Sequence, residues 1–97
     1  MTFRVHFSVR AKPEIQDAYN WYEDQQTGLG EDFLLKLDER LALISNHPFS
    51  FPQKRGSFRE CYLGDFPFIL IYEIKGERIN ILAVIHTSRN PKIKRIK

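Results

Sequence analysis

A chain of 97 residues, 42% hydrophobic and 28% charged, has the profile of an ordinary globular protein with room for one modest core, so a single domain over 1–97 is expected. One cysteine, Cys61, excludes an internal disulfide or a multi-cysteine zinc site, and Met1-Thr2-Phe3-Arg4 offers no apolar run for a signal peptide or membrane span, so a cytoplasmic protein is expected. The net charge of +3 is unevenly split: residues 1–50 carry five Lys/Arg against eight Asp/Glu and residues 51–97 carry ten against four, a pattern that suits a polyanionic partner or a solvated basic tail.

Phe3, Val5, Phe7 and Val9 alternate with Arg4, His6, Ser8 and Arg10, which predicts a half-buried strand. Pro13 suits the first turn of a helix, and Ile15, Ala18, Tyr19 and Tyr22 give it an apolar stripe that Trp21 and Tyr22 extend into the core. Gly28-Leu29-Gly30 permits the positive φ of a tight helix–helix turn. A second helix follows, with Glu31 and Asp32 at the positive end of its dipole and Phe33, Leu34, Leu37, Leu41 and Ile44 as its stripe, and it ends at Asn46-His47-Pro48. Leu35 and Leu43 lie off that stripe. Phe49-Ser50-Phe51-Pro52 is too proline-broken for a strand and is expected to cross the end of the core as an extended connection.

Three strands then follow, Phe58–Leu63, Phe68–Ile74 and Ile79–Ile85, joined by short glycine-containing turns as antiparallel hairpins. The last two are apolar at both parities and read as central strands. The expected fold class is therefore α+β, in the order βααβββ. A helical hairpin packs on a curved, mainly antiparallel four-stranded sheet, and the pairing of the first strand stays open.

With these landmarks the chain resembles the RelE/ParE superfamily of bacterial type II toxins, over essentially its whole length. The matching residues are Trp21-Tyr22-Glu23, Gly28-Leu29-Gly30, Phe51-Pro52, Arg59, Phe66-Pro67-Phe68, Tyr72 and His86-Thr87-Ser88-Arg89-Asn90-Pro91. The resemblance implies a toxin neutralised by a cognate antitoxin, with a heterotetramer as one assembly open to the pair. The RelE branch cleaves messenger RNA on the ribosome without metal, which requires a base, cations around the crowded phosphorus and an acid for the leaving oxygen. Read across without gaps, its second-strand basic positions hold Glu60 and Tyr62, its third-strand arginine position holds Ile69, and its C-terminal arginine position falls on Thr87. Arg59 and Arg89 are offset by one or two residues, and in a strand an offset of one faces the other way. Glu60 at a phosphate-facing position would repel the substrate. The ParE branch, which lacks this cluster, has a Gly-Leu-Gly-like turn and binds DNA gyrase, is the nearer match.

The alternative is a ribosome-dependent, metal-independent endoribonuclease acting on mRNA with Arg59, His86 and Arg89 as catalytic residues. A third reading is a non-toxic, antitoxin-binding co-repressor. For the binding mode, the residues placed toward the target are Arg59, His86, Arg89, Lys92, Lys94 and Arg95. Each has a plainer role open to it: His86 as a strand-end rim residue on the parity of Leu82 and Val84, Arg59 as a cross-strand partner of Glu73, Arg89 as a loop brace. Cys61 reads as a small buried hydrophobe. His6, His47 and His86 lack metal-ligand spacing and there is no glycine-rich phosphate loop, so neither metal nor cofactor is expected.

Overall fold

The computed structural model describes residues 3–87. In chain order these form β1 (Arg4–Phe7), α1 (Ala11–Gln25), α2 (Leu29–Asn46), a 3₁₀ turn (Pro48–Ser50), β2 (Gln53–Arg55), β3 (Phe58–Tyr62), β4 (Phe68–Lys75) and β5 (Arg78–His86). The five strands make one mixed sheet in the order β1-β5-β4-β3-β2, with β1 parallel to β5 and every other pair antiparallel. The α+β class and the order of helices and central strands are as expected. The sheet gains a fifth strand because Gln53–Arg55 pairs with β3, and the connection before it begins as a 3₁₀ turn rather than extended chain. Pro48 supplies the fixed φ that opens this turn.

Both helices lie on one face of the sheet, where Phe33, Leu37 and Ile44 of α2 and Ala11, Ala18 and Tyr22 of α1 meet Cys61, Leu70, Tyr72, Ile79, Ile81 and Val84. Tyr22, Phe33, Phe66 and Phe68 form a cluster with ring centroids 5.0–6.1 Å apart, the edge-on and offset packing that ring quadrupoles favour. Trp21 departs from expectation. One position round the helix from Tyr22, it is 48% exposed, while its neighbour is buried. Val9 likewise falls outside the core, because the first strand stops at Phe7 and the chain turns before α1.

The α1–α2 turn rests on three devices. Gly28 takes φ +93°, the left-handed conformation that a side chain would resist. Gly30 has no such φ; its role is close approach, since a Cβ there would sit 2.8 Å from the Tyr19 ring and 2.9 Å from Glu23 Oε1. The Glu23 carboxylate accepts hydrogen bonds from the amides of Gly28 and Gly30 at 3.0 Å, placing an acid on the otherwise unpaired first N–H groups of α2.

A bulge in β5 explains its apolar character at both parities. Tyr72 pairs with Ile81 and Ile71 with Ala83, leaving Leu82 as the extra residue. Ile79, Ile81 and Val84 consequently face the helices, whereas Leu82 joins Ile69, Ile71, Ala83 and Ile85 on the opposite face. The expected parity of His86 with Leu82 is broken by this insertion. Its displaced polar groups find partners on the helical side: Ser8 Oγ donates to Leu82 O at 2.9 Å, and the Val84 amide donates to Glu14 Oε1 at 2.9 Å.

Candidate functional site

The sequence points to Arg59, His86 and the basic residues beyond the last strand. Arg89, Lys92, Lys94 and Arg95 lie outside the described residues. The other two sit on the helix-facing side of the sheet but at different places along it. Arg59 is level with Tyr72 of β4, and His86 is level with Phe68 of the same strand. Four residues along the strand and two strand spacings across separate them by about 16 Å, so the sheet does not bring them into one cluster.

Arg59 is engaged with its own chain. Its Nη1 donates to Phe51 O at 2.7 Å and to Phe49 O at 3.4 Å, Nη2 donates to Gln53 Oε1 at 3.3 Å, and the guanidinium lies 5.4 Å from the centre of the Phe49 ring. The side chain thereby fastens the 3₁₀ turn and β2 to β3, a use of the planar donor fork that a lysine could not reproduce. Its partners are carbonyls and a glutamine rather than Glu73. Glu60, read from the sequence as phosphate-facing, is 6% exposed and lies level with Ile71, on the face away from the helices.

His86 closes β5 in different company. Its ring meets Phe68 edge-on at 5.2 Å, and together with Trp21 and Tyr22 it lines a cleft of ≈ 60 Å³. Trp21 in turn packs edge-on against Tyr22 at 5.1 Å. The cleft is thus an aromatic notch with one imidazole on its rim; just past it the Thr87 amide donates to Pro67 O at 2.8 Å. The exposed Trp21 was missed by the apolar stripe, because periodicity counts a large aromatic as core wherever it falls near the stripe.

Two further surfaces bear on binding. On α2, Leu35 is 66% exposed and lines an open groove with Asp32, Lys36, Glu39, Asp65 and Phe66, and Leu43 is also exposed farther along the helix. Cys61 is buried, and burial pushes its thiol up to about 11 from the ordinary 9.0 despite the nearby Arg40 guanidinium, leaving it a poor nucleophile. Among the described residues there is no group of three or more His, Cys, Asp or Glu able to hold a metal ion, and no helix is long and apolar enough to cross a membrane.

The family model described as "ParE toxin of type II toxin-antitoxin system, parDE" matches residues 5–91. Among solved structures, a chain of the chromosomal ParDE toxin-antitoxin system from P. aeruginosa superposes with a TM-score of 0.74 at 17% identity, covering 88% of this chain and 96% of that one. A chain of the E. coli DinJ-YafQ toxin-antitoxin complex gives a TM-score of 0.66 at 14% identity, covering 91% and 96%. At these identities the structural likeness establishes a shared fold. No curated protein sequence matches.

Proposed function

The chain belongs to the ParE toxin family of type II toxin-antitoxin systems, and from that premise we propose that it arrests growth by binding DNA gyrase and is held in check by a cognate antitoxin. The observation that carries this reading is the disposition of Arg59. A metal-independent RNA cleavage site must converge cations and an acid–base pair on one phosphorus. Here the arginine is bound to backbone carbonyls about 16 Å from the one histidine at the strand end. A protein acting by binding has no need of that convergence. It needs an accessible surface, and the notch of Trp21, Tyr22, Phe68 and His86 supplies one of aromatic and imidazole chemistry, at the strand end that the basic residues follow in sequence. For the antitoxin, the α2 groove with Leu35 offers an apolar seat flanked by charges, suited to an amphipathic partner segment.

The test is inhibition of supercoiling by purified gyrase, run beside toe-printing of ribosome-bound messenger. Inhibition in the first and no cleavage in the second is the expected result. In cells, His86→Ala, Arg89→Ala and truncation after Pro91 should weaken growth arrest in steps, because contact charges contribute gradually. Total loss from His86→Ala alone, with fold and antitoxin binding intact, would overturn the binding reading, since removing one transition-state donor costs about 10²-fold or more in a catalyst.

A further inference from the structure

The far end of β5 carries a feature that the reading above does not use. Arg4 of β1 lies directly opposite Arg78 of β5, and Arg78 lies directly opposite Lys75 of β4. Val5, Ile74 and Ile79 next to them pack toward the helices, so by strand alternation all three cations point to the other face. They form one transverse row about 10 Å long. All three are exposed, and their side chains make no hydrogen bond or ion pair among the described residues. With His6 and Glu77 they line an open cleft of ≈ 380 Å³. Like charges placed directly across strands destabilise a sheet, and Glu77, the one acid among the described residues lining the cleft, pairs with none of them.

We propose that the row Arg4–Arg78–Lys75 is a contact site for the phosphate backbone of duplex nucleic acid, separate from the surface at the other end of β5. The spacing and the chemistry select this partner. Three cations in line match a ligand whose charge is itself linear and dense, about one per 1.7 Å of duplex axis. Among the described residues no apolar side chain lines the cleft, so they supply no buried anchor of the kind on which a peptide partner's affinity rests. Nor do the described lining residues include a Phe, Tyr or Trp, the stacking platform by which single strands are held. Backbone phosphates, fixed in position by the duplex and met by Arg and Lys without base readout, need neither. Arg78 and His86 begin and end a nine-residue strand, so the two surfaces are about 26 Å apart.

The experiment measures binding of the full 97-residue chain to a short DNA duplex by fluorescence anisotropy across a salt series. The double variant Arg4→Gln/Arg78→Gln should lose about tenfold or more in affinity at low salt and reduce the salt slope by about two. Its thermal midpoint should stay level or rise. The charge-matched control Lys12→Gln/Lys54→Gln, which leaves the row intact, should lose markedly less; the basic segment after β5 is the same in both variants and cancels. Equal losses in the two variants, or none in either, would overturn the proposal. So would displacement of the duplex by polyglutamate at equal charge concentration, which would assign the row to an acidic protein, or equal affinity for a single strand of the same length.

Discussion

Arg59 and Arg78 stand on one sheet under opposite conditions. In the region where β2, β3 and the 3₁₀ turn meet, Arg59 donates to Phe51 O and covers the Phe49 ring, so its guanidinium has partners supplied by the fold. At the corner where β1, β4 and β5 begin or end, Arg78 faces Arg4 and Lys75 with no counter-charge bound to any of them among the described residues. Burial and hydrogen bonding account for the first arginine. Stability does not account for the second, because neutral residues would serve the sheet better there. A cation explained by its contacts is a brace, and one held against its neighbours points outward to a ligand.

The contrast can be tested by substitution, starting where the fold has most to lose. Phe33 is fully buried among Tyr22, Phe66 and Phe68, and Phe33→Ala should cost about 3–5 kcal/mol in urea unfolding through lost burial and an unfilled cavity. Val9→Ala, at a position 91% exposed, should change little. Arg59→Ala should come next, destabilising by about 1–3 kcal/mol, since the Phe51 carbonyl loses its donor in a partly buried setting. A toxin that keeps its fold but loses all activity on this change would move Arg59 from brace to target contact.

Alkaline pH probes the covered side without a mutation. Burial raises the Cys61 thiol to about 11 from 9.0 and the Tyr72 phenol to about 12 from 10.0, the latter while Tyr72 Oη donates to Pro48 O at 2.6 Å. Above pH 9 the unfolded chain releases a thiol proton that the folded chain keeps, so the stability present below pH 9 should fall as pH rises toward 11, with Tyr72 adding its share from 10 to 12. Thermal midpoints measured from pH 8 upward should show this decline, and Cys61→Ala should delay its onset to the range of Tyr72. The smallest effect belongs to the open corner. Arg78→Gln should leave unfolding within about 0.5 kcal/mol of the parent, on the favourable side; a clear loss of stability would mean that Arg78 is a brace after all.

Much of this molecule is legible in the chain itself. The stripe of Phe33, Leu37 and Ile44, the alternation of Val5 and Phe7, and the turns at Gly28, Gly64 and Gly76 follow from local periodicity and from backbone conformations that glycine adopts freely. These fix two helices, four of the strands and the class of fold, and the succession of landmarks fixes the family. Tertiary structure decided the rest, because it depends on residues far apart in sequence. The parallel pairing of β1 with β5 joins residues more than seventy positions apart, and it alone brings Arg4 beside Arg78. The bulge at Leu82 is visible only once β4 sets the register, and it determines which way His86 faces and why Glu14 and Ser8 reach into the sheet. An arginine reads the same in any strand; whether it finds carbonyls, as Arg59 does, or other cations, as Arg78 does, is settled by which strands become neighbours.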